Sequence, residues 1–214
     1  TLDIIKKYEW VVTKCISEKD EGISDAFNKG IKMATGDIVG IINSDDMLFE
    51  GALDKLNECY DPNMDVYYGN ALIVNENGEK SHILNSCADL SGLPYSFCIV
   101  HPATFVAKKA YDKYGLFDKN LRCCMDYDLL LRFYKENANF KYINETLSVY
   151  RTGGTNQKLR RITIDECCQV SIRYGGNKIK VNLIKYKKTI ADFIRPLAYK
   201  MGIHSKRVNR HSDI

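Results

Sequence analysis

The stretch that decides the predicted fold is Asp37-Ile38-Val39-Gly40-Ile41-Ile42-Asn43-Ser44-Asp45-Asp46. Four branched apolar residues around a glycine are typical of a strand that is buried on both faces, in the middle of a parallel sheet. The strand leads directly into a polar cluster that ends in two adjacent carboxylates. Because open α/β sheets bind ligands at the carboxyl ends of such strands, we expect a ligand site at this cluster.

The residues after this strand have the chemistry of a divalent-metal site. Side chains alternate along a strand, so Asn43 and Asp45 should point to one side and Ser44 and Asp46 to the other. Neighbouring carboxylate oxygens suit Mg²⁺ or Mn²⁺, which usually also binds oxygens of a substrate phosphate. A structural alternative stays open, because Ser and Asp are strong N-cap residues that could cap the next helix.

Length and composition are those of one globular core. The chain has 214 residues, of which 45% are hydrophobic and 27% are charged, unlike a disordered or collagen-like protein. None of the eight cysteines forms a C-x-x-C pair, and no signal peptide is visible. We therefore expect free thiols in a reducing cytosol rather than a zinc or disulfide framework. No apolar run reaches transmembrane length.

Hydrophobic spacing predicts alternating helices and strands. The predicted helices lie at 1–9, 23–35, 48–60, 108–114, 125–137 and over most of the chain beyond 150. The predicted strands lie at 10–16, 37–42, 66–68, 98–106 and 140–150, with a hairpin of 71–74 and 81–84 around Asn77-Gly78. Gly36 should end its helix, and His101-Pro102 should bend its strand. The order strand, helix, strand over residues 10–42 favours parallel strands joined by a right-handed crossover.

Three features in a fixed order carry a resemblance to a known family. They are Ser17-Glu18-Lys19-Asp20-Glu21-Gly22-Ile23 with Ala26-Phe27-Asn28-Lys29-Gly30, then Gly36-Asp37 through Asn43-Ser44-Asp45-Asp46, then Gly115-Leu116-Phe117-Asp118 leading to Asp126-Tyr127-Asp128-Leu129. Together they resemble the family 2 glycosyltransferases, which are inverting enzymes that use nucleotide-activated sugars. The resemblance implies a GT-A (nucleotide-diphospho-sugar transferase-like) α/β domain over residues 1–156, with a mixed, mainly parallel sheet flanked by helices. A basic helical extension follows at 157–214.

The resemblance also implies a missing piece. The family begins with a strand, a helix and a second strand that carries part of the nucleotide-base pocket, whereas this sequence begins to match at the helix after that second strand. A piece of at least about 30 residues, the size of a βαβ unit, is therefore expected to be absent. We expect this polypeptide to bind the sugar donor poorly.

The central roles carry over residue by residue. Asp45 matches the metal-binding carboxylate of the family's D-x-D signature, which implies Mn²⁺ or Mg²⁺ as cofactor. Asn43 stands where the first Asp of that signature often stands, and an amide there brings no charge. Asp46 matches the following Asp and is expected to order the loop at the substrate. Asp126 matches the catalytic base, with Met125 in place of a frequent Glu.

Other residues are implied on the nucleotide side of the pocket. Asp20, Asn28 and Lys29 lie in the segment that lines this side in the family, although Asp20 could be an ordinary loop acid. Arg151 opens the segment Arg151-Thr152-Gly153-Gly154-Thr155-Asn156. This segment resembles the mobile loop that closes over the donor, without the His frequently present there.

His101 and Asp128 complete the predicted substrate contacts, each beside a structural alternative. A histidine before proline in an apolar strand is more often a satisfied core residue than a ligand, so acceptor contact by His101 is the lesser alternative. Asp126 and Asp128 could simply be carboxylates at the positive end of a helix. The tyrosines at 67–68 are expected to pack rather than to stack on a sugar.

Set together, these roles imply sugar transfer. A divalent ion on the pyrophosphate acts as a Lewis acid for the departing nucleoside diphosphate. A carboxylate across the sugar then removes the proton of the attacking hydroxyl. We expect transfer from a nucleotide-sugar donor to a saccharide or lipid-linked hydroxyl acceptor, in surface polysaccharide or glycolipid biosynthesis. The alternatives are a non-catalytic nucleotide- or glycan-binding remnant, and nucleotidyl transfer, which would require a Gly-rich phosphate loop that the sequence lacks.

The end of the chain is basic. From Lys178 onward there are ten Lys or Arg residues against Asp192 and Asp213. The predicted apolar stripe of this helical region is Ile179, Leu183, Ile190 and Ile194. Its polar face either is simply solvated or rests on the anionic inner face of a membrane. We expect a cytoplasmic protein without a nucleic-acid partner.

Overall fold

A computed structural model describes residues 2–75, 77–152 and 159–200, the last six of these by their backbone alone. The helices are α1 Leu2–Lys7, α2 Ile23–Met33, α3 Ala52–Glu58, α4 Lys108–Tyr114, α5 Met125–Lys135, α6 Arg160–Arg173 and α7 Lys178–Lys200. The strands are β1 Ile38–Gly40, β2 Met47–Leu48, β3 Val66–Val74, β4 Lys80–Leu84, β5 Thr104–Ala107 and β6 Phe140–Arg151, and a 3₁₀ turn spans His101–Ala103.

The strands form one mixed sheet flanked by helices, which confirms the predicted α/β class, but the prediction that this sheet is mainly parallel is wrong. Its order is β1-β5-β3-β6-β2, and β4 pairs with the second half of β3. The strands β3 and β6 run parallel along most of their length. The other pairs among the described strands are antiparallel, so parallel pairing is confined to the centre of the sheet.

The deciding stretch does not lie where the sequence predicted. Within the described residues, β1 is a three-residue strand at one end of the strand order, paired only with β5, and its residues are half-buried or exposed. It was expected in the middle of a parallel sheet. Gly40 is required at its end, because a Cβ there would lie 2.8 Å from the ring of Phe105 on β5.

The strand predicted at 10–16 is also wrong. The backbone N–H groups of Val11 and Val12 bond to the carbonyl of Tyr8 as a turn, and no ladder forms along this segment. The apolar side chains that suggested a strand are exposed, and Trp10 is 82% exposed. A β-prone composition forms a strand only where it pairs with another strand, and residues 10–16 pair with no strand of the described chain.

Several local predictions are confirmed. β3 and β4 form the predicted hairpin, with Gly78 at φ 83° in the turn. α4 covers the predicted residues and ends at Gly115, with φ 92°. Pro102 lies in the 3₁₀ turn that bends the chain before β5. By contrast, α2 ends before Ala34 rather than at Gly36.

The helix predicted at 48–60 starts later than expected. Met47 and Leu48 form β2 and pair with Val149 and Ser148 of β6, so the helix α3 begins only at Ala52. Leu48 therefore belongs to the sheet that frames the acid cluster.

The core lies on both faces of β3. Tyr67 and Tyr68 are both fully buried, and they belong to separate apolar clusters on opposite faces, as strand alternation requires. The larger cluster includes Phe133 of α5 and Val170 of α6. Helix α6 is thus part of the main core, and it packs next to the helix that carries Asp126.

Candidate active site

The acid cluster after β1 is a tight turn tied to β6. The N–H of Asp46 donates to the carbonyl of Asn43 at 3.1 Å, and the Asn43 amide donates to the Asp46 carboxylate at 3.0 Å. The other Asp46 oxygen accepts the N–H of Arg151 at 3.1 Å. Burial raises the pKa of Asp46 despite these hydrogen bonds. Asp46 therefore fixes the loop, while its neighbour Asp45 stays exposed.

Asp126 lies at the start of α5 and acts electrostatically on the same histidine, His101, as Asp46 does. Its carboxylate accepts the N–H of Tyr127 at 2.7 Å, while the preceding N-cap residue, Cys124, makes no side-chain cap. Burial raises the pKa of Asp126 above its ordinary value, and the nearby His101 partly opposes that shift. A carboxylate that is both fixed and desolvated is typical of functional acids and bases.

Two side chains connect the acid cluster to Asp126. Burial lowers the pKa of His101, while Asp126 and Asp46 act on it in the opposite direction. Burial raises the pKa of Tyr150, and its shift is increased by Asp46, Asp45 and Asp126. Since each of these two groups interacts electrostatically with both sets of acids, the acids after Ile42 and the acid of α5 lie around the same two side chains. The region around these side chains is the candidate cleft.

Aromatic packing forms one wall of this cleft. The ring of His101 stacks on Phe27 of α2 at 6.0 Å between centroids. It also meets the edge of Phe117 at 6.2 Å, and Phe27 and Phe117 pack against each other at 5.4 Å. His101 is therefore a packed histidine at the border of the acid site, which agrees with the structural alternative and leaves its predicted substrate contact untested.

Asn28 is used by the fold. Its amide donates to the carbonyl of Phe117 and its oxygen accepts the N–H of the same residue, both at 2.9 Å. This reciprocal pair joins α2 to the segment before α5, and the Asn28 side chain is buried. Its predicted donor contact would require these two hydrogen bonds to break.

Asp20 and Lys29 meet each other on the exposed side of α2. The Lys29 ammonium lies 2.8 Å from Asp20, 2.7 Å from Glu18 and 3.3 Å from Asp25. Hydrogen bonds to Asp20 and then Glu18 raise the pKa of Lys29. The structure thus brings the two predicted residues together as an ion pair at the surface.

Arg151 brings an unused donor to the cleft. Its backbone holds Asp46, and its buried Nε has no hydrogen-bond partner among the described residues. Residues 153–156 of the predicted donor-closing loop lie outside the described residues.

Asp128 is placed apart from this cleft. It is 1% exposed, and its carboxylate lies 2.8 Å from the guanidinium of Arg173 on α6. The same guanidinium lies 3.0 Å from Asp118, and the Tyr174 hydroxyl donates to Asp128 at 3.3 Å. This network favours a structural role for Asp128 over the predicted substrate contact.

Two residues of the site were missed in the sequence. Tyr150 borders both sets of acids, and its place beside the β2–β6 pairing shows only once the strands are paired. Glu166 of α6 binds the segment that leads into α5. A single Glu in a helix more than 30 residues further on gives no local signal.

The residues of the acid turn fit a metal ion that is shared with a substrate. Within the described chain, Asp45 is exposed and accepts no hydrogen bond, whereas both Asp46 oxygens are engaged. No group of three or more His, Cys, Asp or Glu side chains able to hold a metal occurs among the described residues. Mg²⁺ typically binds one or two carboxylates together with substrate phosphates and waters, which matches this sparse donor set.

The fold with this cleft is the GT-A fold. Crystal structures of S. aureus TarS 1-349 match with a TM-score of 0.55 in complex with UDP-GlcNAc and 0.55 in complex with UDP, at 13% and 14% identity. Both matches span 95% of this chain, and they span 63% and 62% of the two TarS chains, respectively. The model of glycosyl transferase family 2 matches residues 1–115, more than half of the chain. The chain belongs to this family.

Curated relatives agree with that assignment. An uncharacterized glycosyltransferase of Methanocaldococcus jannaschii is 26% identical over 75% of this chain and 58% of its own length. One of Rickettsia typhi is 28% identical over 56% of this chain and 42% of its own length. A PGL/p-HBAD biosynthesis glycosyltransferase of Mycobacterium bovis is 24% identical over 81% of this chain and 68% of its own length. The chain thus spans about half of the length of the first two relatives.

Proposed function

We propose that this chain carries the catalytic region of a metal-dependent, inverting glycosyltransferase. It would transfer a sugar, hexosyl or related, from a nucleotide-sugar donor to a hydroxyl acceptor in surface polysaccharide or glycolipid biosynthesis. The observation that carries the proposal is the shared cleft, in which His101 and Tyr150 interact with the acid turn and with Asp126. The UDP-sugar complex of TarS and the name of the mycobacterial relative support the substrate class.

On the donor side, Asp45 would hold Mn²⁺ or Mg²⁺ against the diphosphate. Such an ion supplies Lewis-acid stabilisation of the leaving nucleoside diphosphate. Asn43 and Asp46 hold the turn that presents Asp45 through their mutual hydrogen bond. The unpartnered Nε of Arg151 offers a charge-assisted donor to phosphate oxygens, since guanidinium groups suit phosphates.

On the acceptor side, Asp126 would take the proton of the attacking hydroxyl. The family match at residues 1–115 ends before this residue, so its role rests on the cleft. The raised pKa of this half-buried carboxylate favours proton transfer, because a base works best when its pKa approaches the operating pH. A base on one side of the sugar and a leaving group held on the other give inversion by direct displacement.

The alternative is a remnant that binds nucleotide or glycan without turnover. Asn43 in place of an acid and Met125 beside the base favour it, whereas an exposed Asp45 and a half-buried Asp126 with a raised pKa favour catalysis. Isothermal titration with UDP-sugars and GDP-sugars in Mn²⁺ measures binding, and release of nucleoside diphosphate measures turnover. Catalysis requires release that Asp45→Asn abolishes. Binding by the wild-type chain with no release under any donor and acceptor would establish the remnant.

We also propose that α7 contacts an anionic membrane. Six large apolar side chains on this helix are 40–78% exposed: Ile179, Leu183, Tyr186, Ile190, Phe193 and Ile194. At 100° per residue they fall within an arc of about 100°, opposite the buried Val181. Lysines border this stripe at both edges (Lys178, Lys180 and Lys187). An apolar stripe between lysines fits a negatively charged bilayer surface. No helix of the described chain has the length and apolar character to cross a membrane.

Sedimentation with vesicles tests this contact. The chain should sediment with phosphatidylserine-containing vesicles more than with pure phosphatidylcholine vesicles, and less at high salt because the lysine charges are screened. Phe193→Ser should reduce sedimentation, whereas Leu53→Ser, which removes an exposed apolar side chain of α3, should not. Equal sedimentation of all three proteins, or self-association through the stripe without lipid binding, would refute the contact.

A further inference from the structure

One buried carboxylate holds the segment that leads into α5. Glu166 accepts three consecutive backbone N–H groups: Oε1 accepts that of Arg122 at 2.9 Å, and Oε2 accepts those of Cys123 at 2.8 Å and Cys124 at 3.0 Å. Cys124 is the N-cap residue of α5, and its side chain makes no capping hydrogen bond to the first turn of the helix. A distant carboxylate thus fixes a turn whose own residues provide no cap.

The helix that carries Glu166 is itself firmly placed. Val170 of α6 is fully buried in the main core, and the Ser171 hydroxyl donates to the carbonyl of Pro94. One turn earlier, the Cys124 thiol donates to the carbonyl of Thr163 at 3.2 Å. Glu166 therefore acts from a rigid support, and the residue as a whole is only 9% exposed.

We infer that Glu166 is a positioning residue for Asp126. Asp126 lies two residues after the last N–H that Glu166 binds, so a shift of the segment 122–124 moves its carboxylate directly. Charge-assisted hydrogen bonds are stronger than neutral ones, and three on one buried carboxylate allow little freedom. The inference rests on the proposed role of Asp126 as base. It also makes α6, which lies beyond the family match at 1–115, a necessary part of the active site.

The variant Glu166→Gln tests this inference in the full chain. Gln keeps the shape of the side chain, but it loses the charge and turns an NH₂ group toward the backbone N–H groups. We expect faster hydrogen exchange at the amides of Arg122, Cys123 and Cys124. Because misplacing a reacting group by about 1 Å can cost 10²-fold, kcat should fall by about 10- to 100-fold with little change in KM or in nucleotide-sugar affinity.

The neighbouring acid provides the matched control. Asp165 pairs with Lys185 at 2.7 Å on the exposed side of α6, so Asp165→Asn should leave exchange at residues 122–124 and kcat unchanged. A general loss of folding in Glu166→Gln, with donor affinity and kcat falling together as the melting temperature falls, would reduce Glu166 to a structural residue. Unchanged exchange at 122–124 would also overturn the inference.

The exchange measurement does not depend on turnover. If Asp126→Asn kept normal turnover while Glu166→Gln loosened the segment 122–124, the role of Asp126 as base would fail. The hydrogen bonds from Glu166 to this segment would then have a structural role only. If Asp126→Asn abolished turnover and Glu166→Gln left it intact, the positioning role alone would fail.

Discussion

Replacing Asp126 by Asn separates the catalytic interpretation of this acid from the structural one. The Asn side chain can still accept the 2.7 Å hydrogen bond from the Tyr127 N–H, but it cannot act as a base. General-base assistance contributes about 10²–10⁴-fold to rate. We therefore expect kcat to fall by about that factor while the domain stays folded.

Stability should move in the opposite direction. Burial raises the pKa of Asp126 in the folded protein. A group with a raised folded pKa favours the folded state below its unfolded pKa and loses that contribution as the pH rises through the folded pKa. Above that folded pKa the wild-type chain carries a desolvated charge that Asp126→Asn removes. The midpoint of thermal unfolding of the Asp126→Asn variant should therefore exceed that of the wild type at pH 8, with a smaller difference near pH 4.

Asp126→Ala measures the structural part of the interaction. Alanine also removes the acceptor for the Tyr127 N–H, and loss of such a helix-start hydrogen bond costs about 1 kcal/mol. For a chain of this size that corresponds to roughly 2–4 °C in melting temperature. The Ala variant should thus unfold about that far below the Asn variant, with an equally low kcat.

The assays are nucleoside diphosphate release and scanning calorimetry at both pH values. Asp54→Asn, which changes an exposed acid in the first turn of α3, is the control and should alter neither quantity. The acid limb of the wild-type kcat/KM profile should lie above the ordinary range of an aspartate pKa. Asp126→Asn with wild-type kcat, or with a lower melting temperature at pH 8, would contradict the assignment.

Three further predictions concern the fold. Gly69→Ala would place a Cβ 2.8 Å from the carbonyl oxygen of Glu145. Overpacking of this kind lowers the free energy of unfolding by about 1–3 kcal/mol, which urea denaturation measures. An unchanged urea midpoint would contradict the β3–β6 register. Tyr67→Phe removes a hydroxyl that both accepts from the Asp61 N–H and donates to its carbonyl, so the free energy of unfolding should fall by about 1–3 kcal/mol. Cys15 is exposed and should be the first thiol alkylated by iodoacetamide in peptide mapping; faster modification of a buried cysteine would refute the burial pattern.

Features set by neighbours along the chain could be predicted from the sequence. The hairpin around Asn77-Gly78, the helix α4 with Gly115 at its end and the apolar face of α5 depend on turn residues and on helical spacing, which act over a few residues. The residue types of the site were visible for the same reason. Adjacent acids after an apolar run, and an acid at a helix start, indicate chemistry without any coordinates.

Pairing partners could not be predicted in this way. The segment 10–16 has the composition of a strand, and residues 37–42 have that of a central one, yet the first forms no ladder and the second gives only a short end strand. Strand propensity states that a segment suits a sheet. It does not state which edge the segment will meet.

The sequence by itself determined the local elements and the acids that the proposed sugar transfer would use. Only the tertiary structure decided that Tyr150 and His101 interact electrostatically with both sets of acids, that Asp128 pairs with Arg173, and that Glu166 holds the start of α5. Hydrogen bonds and burial join residues that are far apart in the chain. The partners of these residues are therefore determined by how the helices and strands pack, and residue spacing along the chain does not predict that packing.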